Sequence, residues 1–328
     1  TSIMATGQDG GAGIGSGSDS NGGTTVTISG GVIEQATGIG GAGIGAGAES
    51  HGETQINISD GTIHYAIGQS GGAGIGGGSY SDSTADTAKG AVTVTISNGT
   101  IKNAKSEYSS AGGGAGIGGG NGGSATVTIS GGTIGSQDNN DDGAFGRGGG
   151  AGIGGGMGAS GNTTVTISGG TIEKATGGVD GGAGIGSGKG STGETKIDIT
   201  GGALVYAYGN EGAAIGSGES STGETTINIH DTNPEKGVKR AFAYDGAGIG
   251  SGCYASGQTH ITIRNASVSS LDSSADSTNN PGAGIGSGKR AKGNTDITIE
   301  SSTGKAVGGY GAAIGSGSEG DLYTPPTG

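Results

Sequence analysis

Three carboxylates stand where most copies of a recurring string carry glycine, serine or an apolar residue. Glu211 and Asp245 each lie two residues before the first alanine of a Gly-Ala-Ala-Ile-Gly or Gly-Ala-Gly-Ile-Gly string, and Asp180 lies three residues before it in the preceding copy. If successive copies stack, these acids crowd together. Crowded carboxylates raise one another's pKa, unless a hard cation such as Ca²⁺ takes their oxygens as ligands. Asp180, Glu211 and Asp245 are therefore a candidate calcium site. A second series falls in one column, two residues after an interior Ile, Leu or Val: Lys174, Tyr206 and Arg240, with Tyr208 and Tyr244 close by. Saccharide sites are built from such groups, tyrosine serving as a flat platform and charged side chains reaching hydroxyls or uronates. The same residues also fit a solvated ion-pair ladder that relieves like charge along a stack.

Other departures from the repeat carry weaker chemistry. Lys196 and Asp198, Asn228, His260 and Asp296 break a Thr-x-Thr pattern in four consecutive units. His260 titrates near neutrality and could move protons, yet no Ser-His-Asp order or metal-spaced His pair accompanies it. The insert Asp138-Asn139-Asn140-Asp141-Asp142 has the composition of a calcium loop without the spacing or terminal Glu of an EF-hand; it reads as a hydrated loop. The longer insert from Ser79 to Lys89 suggests no chemistry. Gly-rich strings such as Gly11 to Gly17 recur in every unit and lack the Lys-Ser/Thr and the helix of a phosphate cradle, so they are structural. Cys253, the only cysteine, has no partner for a disulfide or zinc and reads as a small tolerated side chain.

Composition narrows the function classes. A net charge of −13 disfavours a phosphate backbone or an anionic membrane as partner. No apolar run of about 18 residues is present to insert in a membrane. Gly accounts for 87 of 328 residues and aromatics for 3%, a balance that leans towards disorder when taken alone. A fixed apolar pattern from end to end argues the other way.

The Gly-Ala-Gly-Ile-Gly string or its Ala-Ala-Ile variant begins at Gly11, Gly41, Gly72, Gly114, Gly150, Gly182, Gly212, Gly246, Gly282 and Gly311, at intervals of 29 to 42 residues. Each unit then carries a Thr-Val-Thr-Ile-Ser segment (Thr25 to Ser29, Thr164 to Ser168) and a Thr/Val-Ile pair followed by Ala three residues on (Ile33 and Ala36, Ile172 and Ala175). The middle segment alternates, so Val26 and Ile28 point inward while Thr25 and Thr27 point outward. One such unit cannot bury its apolar edges alone; stacking places Ile on Ile and Val on Val. The expected fold is all-β, a right-handed parallel β-helix of about ten coils with three short strands per coil, since crossovers between parallel strands are right-handed. At about 4.8 Å per coil it would be a rod of roughly 45 to 50 Å. A Gly-X-Y collagen period is absent, and propeller blades need longer strands and more aromatics.

The repeated Gly-Gly-Ala-Gly-Ile-Gly-Ser-Gly and Thr-Val-Thr-Ile-Ser-Gly-Gly-Thr-Ile strings resemble the Gly-rich repeat regions of large surface proteins of Gram-positive bacteria, over almost the whole chain. More broadly they resemble pectate-lyase-like β-helices, which include lyases, hydrolases, binding modules and adhesins. The resemblance implies a single β-helix domain over residues 1–328, a fragment of a larger protein, at the cell surface or outside the cell. Its expected role is a non-catalytic stalk or adhesin that binds host or dietary polysaccharide, with calcium as the possible cofactor. A second reading is a glycoside hydrolase or polysaccharide lyase with its site on the flank of coils five to eight. A third is an ice-binding array of hydroxyls from Thr25/Thr27, Thr93/Thr95, Thr126/Thr128 and Thr164/Thr166, interrupted by Gln55/Asn57, Lys196/Asp198 and His260.

Overall fold

The computed structural model describes residues 2–80, 90–107, 112–136, 142–230, 236–272, 282–308 and 311–318. Most of the insert from Ser79 to Lys89 and all but Asp142 of the insert at 138–142 lie outside the described residues. The described chain is a parallel β-solenoid without helices, built from one 21-stranded and one 10-stranded sheet.

The three apolar columns run down its interior. In the first, Ile14, Ile44, Ile75, Ile117, Ile153, Ile185, Ile215, Ile249, Ile285 and Ile314 pair in unbroken register. In the second, Val26, Ile56, Val94, Val127, Val165, Ile197, Ile227, Ile261 and Ile297 do the same. The third stacks Ile63, Ile101, Ile134, Ile172, Leu204 and Val238. Val94, Val127, Val165, Ile197 and Ile227 are completely buried, and a buried side chain of this size contributes about 1.5–3 kcal/mol relative to exposure. Like side chains meet like because every coil repeats the same alternation, which fixes the register.

The glycine after each first-column Ile is dictated by the stacking. These glycines hold φ between +133° and +143°, a region that L side chains rarely enter. At Gly186 a Cβ would also sit 1.8 Å from the carbonyl oxygen of Gly216 in the next coil. One position further on, serine replaces glycine in the later coils and is used as a ladder. The Oγ atoms of Ser187, Ser217 and Ser251 each accept from a backbone N–H of the next coil, Gly218, Gly252 and Gly288, at 3.1 Å. These buried hydroxyls satisfy amides that no strand pairing reaches.

Three short strands per coil holds at Val92–Gly118 and again from Thr259 onward; between Thr126 and Gly250 the third segment splits into two short strands, for example Thr171–Ile172 and Ala175–Thr176, which makes four. In the first two full coils the second and third segments fuse into single 16-residue strands, Thr24–Ile39 and Thr54–Gln69. Pairing there continues around the Ser29–Gly31 corner with two register irregularities. The first segment is only an Ile-Gly pair in every coil, for example Ile185–Gly186.

Candidate functional site

The third segment of coils five to eight carries an aromatic cluster on its outer surface. Its inward alanines, Ala144, Ala175, Ala207 and Ala241, pair in register and are fully buried. The residues on either side of each alanine therefore face outward. Lys174, Tyr206 and Arg240 precede the alanines of three successive coils, in one column as expected. Phe145, Thr176, Tyr208 and Phe242 follow them, and this one column holds both phenylalanines of the chain.

Coil spacing sets the rings nearly parallel. Tyr208 stacks on Phe242 with centroids 5.6 Å apart and on Tyr206 at 6.2 Å, at interplanar angles of 14° and 12°. Tyr244 meets Phe242 and Tyr208 edge-on at 5.3 and 6.2 Å. Both geometries are the ones aromatic pairs prefer, each adding about 0.5–1.5 kcal/mol beyond area burial. The Arg240 guanidinium lies 5.3 Å from the centre of Tyr206 and 5.6 Å from that of Phe242, and Lys174 lies 5.3 Å from the centre of Phe145. Phe242 is the keystone, only 3% exposed although it faces outward, whereas Tyr244 is 40% exposed.

Burial raises the Tyr206 phenol, against the opposing charge of Arg240. Burial, followed by the neighbouring Tyr244 and Tyr206, pushes Tyr208 up to about 12. Tyr206 and Tyr208 thus stay neutral at physiological pH and keep their hydroxyl protons to donate.

The acids form a separate group on the other side of the Tyr244–Asp245 peptide. The stagger of the coil explains their partners. The amides of Glu219, Cys253 and Lys289, each four residues after a first-column Ile, donate to the carbonyls of Gly181, Glu211 and Asp245 in the preceding coil at 2.7, 2.7 and 2.8 Å. Side chains at this fourth position are thereby delivered to the acidic corner. Lys189 pairs with Glu219 at 2.6 Å and Lys289 with Asp245 at 3.6 Å. The Glu211 carboxyl is pushed up to about 7, by burial first and then by the hydrogen bond and charge of Glu219; Lys189 opposes this and Asp245 adds to it. Burial alone would lower the Lys189 ammonium, but the hydrogen bond and charge of Glu219, with Glu211 and Asp180 behind, hold it above its usual value.

At this corner the acids meet lysines and one another. Glu219 and Asp245 turn their oxygens to lysines, Glu211 lies close enough to Glu219 for its carboxyl to be raised by it, and Asp180 is exposed and acts on Lys189 by charge. Among the described residues no group of three or more His, Cys, Asp or Glu is arranged to hold a metal. Lysine supplies positive charge to Glu219 and Asp245. Cys253 sits in the same fourth-position column, buried, its thiol pushed up to about 12 by burial and then by Asp245. It is an unreactive space-filler.

The outward breaks on the second segment pair with one another. Lys196 meets Asp198 at 3.2 Å, and Asn228 donates to Asp198 at 2.8 Å. His260 lies between Asp296 at 3.1 Å and Glu224 at 3.6 Å. The threonine pairs Thr93/Thr95, Thr126/Thr128 and Thr164/Thr166 stack in register over three coils, bounded by Gln55/Asn57 and Lys196/Asp198.

Sequence reading missed Phe145, Phe242, Lys189, Glu219 and Lys289. The phenylalanines share one offset from the interior alanine, and the other three share one offset from the first-column Ile. Aligning every column, rather than only those that break to an acid, would have found them.

The family described as Beta helix repeat matches residues 26–48, 56–79, 94–121 and 165–189. Those segments run from the second-column Val or Ile to the corner after the next Gly-Ala-Gly-Ile-Gly string, in agreement with the solenoid. No curated protein and no solved structure matches the chain.

Proposed function

We propose that this β-helix repeat module is a non-catalytic extracellular rod that serves as stalk or adhesin and binds saccharide on the aromatic face of coils five to eight. One observation supports the reading above the rest. In a chain with 3% aromatics, Tyr206, Tyr208, Phe242 and Tyr244 gather in one stacked patch with Arg240 against two of the rings. The fold asks for none of these rings, since Thr176 fills the same column between Phe145 and Tyr208. A half-exposed ring offers the CH face of a pyranose a flat apolar partner, while the protonated hydroxyls of Tyr206 and Tyr208 donate to sugar oxygens.

The corner acids give little support to a hydrolase. Glycosidases separate their carboxyl groups by about 5–9.5 Å to act on substrate, whereas Glu219 and Asp245 at this corner are each taken up by a lysine. A glycan-array screen of the wild type and of Tyr208→Ala, with and without EDTA, tests the proposal. Binding that survives chelator and fails in the variant supports it. An array without hits, or hits unchanged in Tyr208→Ala, leaves the stalk alone; release of shortened glycan reveals an enzyme.

A further inference from the structure

Cations in the later coils divide into two kinds. Lys189 and Lys289 at the corner are consumed by Glu219 and Asp245. Arg240 at the aromatic face, with Lys236 and Lys239 just before it in the chain, makes three cations within five residues, all exposed and forming no ion pair among the described residues. In the Lys239 column the preceding coil carries Val205 and only the one before that an acid, Glu173. These cations stand on a protein of net charge −13, where solubility requires no further cations and where neighbouring lysines repel. Arg240 is also oriented: its guanidinium lies against Tyr206 and Phe242, an arrangement that fixes the plane of a fork suited to carboxylate or sulfate oxygens.

Resting on the saccharide-binding reading above, we infer that the ligand of the aromatic face is an anionic saccharide, its ring on Tyr208 and Tyr244 and its carboxylate or sulfate on Arg240, Lys239 and Lys236. Aromatic stacking selects a saccharide from other polyanions; the unpaired cations select the charged saccharide from its neutral counterpart. The negative remainder of the rod repels polyanions elsewhere, which confines them to this face.

The test uses three probes in calorimetric titration of the whole chain: tetragalacturonate, its full methyl ester, and a chondroitin sulfate tetrasaccharide. The expected result is a preference of about tenfold or more for one or both anionic probes over the ester, as a charge-assisted hydrogen bond supplies. Carboxylate and sulfate specificity are told apart by which anionic probe binds. Lys236→Gln/Lys239→Gln, two exposed changes that leave the rings intact, should cut the anionic affinity severalfold and leave the ester unaffected. Equal binding of ester and acid, both lost in Tyr208→Ala, would overturn the charge inference while keeping the saccharide site. Equal binding of polyglutamate, a polyanion control that is not a saccharide, and of tetragalacturonate, unchanged in Tyr208→Ala, would overturn it as mere polyelectrolyte attraction. No binding of any probe, together with an empty glycan array, would remove the saccharide reading itself.

Discussion

The corner and the aromatic face are built from neighbouring residues of the same coils, yet they spend their charge differently. At the corner Lys189, Glu219, Asp245 and Lys289 neutralise one another within the rod, and the Glu211 carboxyl among them is raised to about 7. On the aromatic face Arg240 lies against rings and its neighbours Lys236 and Lys239 are left to solvent. In a solenoid the position in the cross-section therefore decides the role: a staggered corner completes its own ion pairs, while the bend around the short strands Gly237–Val238 and Ala241–Ala243 presents what it carries.

The largest effect should come from inside both. Ile167→Asp places a charge in a fully apolar column and should unfold the neighbouring coils, a loss above about 4 kcal/mol. Its neighbour Thr166→Asp faces outward and should cost well under about 1 kcal/mol. Equal responses in melting temperature and far-UV circular dichroism would undo the assignment of inside and outside on which the comparison stands.

Next in size is Phe242→Ala. A ring 3% exposed should cost about 3 kcal/mol when removed, and saccharide binding should go with it because Tyr208 and Tyr244 lose their support. Lys289→Ala, at the corner, should lower stability by no more than about 1 kcal/mol and leave binding intact. Denaturant titration and calorimetry on the two variants separate a ligand face from a structural corner; loss of binding in Lys289→Ala would merge them.

The smallest effect is a pH dependence. Folding raises the Glu211 carboxyl from 4.5 to about 7, so between these values the folded chain holds a proton that the unfolded chain has released. Stability should therefore fall as pH rises through that window. Because the group is largely solvated, its share is about 1 kcal/mol after screening. Glu211→Gln should flatten the slope and melt higher than wild type at pH 8. A wild-type slope that persists in the variant would assign the titration to another group.

Much of this was legible in the residues. The alternation of Val165 and Ile167 with Thr164 and Thr166 encodes the inside and the outside of a strand, and the recurring Ile-Gly pair encodes the stacking, because only glycine fits at a positive φ beneath the next coil's carbonyl. The column of Lys174, Tyr206 and Arg240 was legible for the same reason. The corner was not. Its register joins the fourth residue after Ile in one coil to the acid before Gly-Ala in the previous coil, an offset set by the rise of the solenoid and invisible when each unit is read alone. The lysines that pair with these acids were therefore not foreseen. Phe242 was passed over because outward residues of a strand are taken as exposed, whereas stacked rings bury one another.

The central claim is that the face formed by Tyr206, Tyr208, Arg240, Phe242 and Tyr244 is where this rod meets a saccharide. The most direct measurement is a backbone amide chemical-shift map of the isotope-labelled chain titrated with tetragalacturonate and with its methyl ester. Saturable shifts confined to residues 174–176, 205–209 and 238–244, the acid producing them at lower concentration than the ester, are the predicted result. Saturable shifts centred instead on the threonine columns of the second segment or on the corner at Glu211 and Lys289 would contradict it.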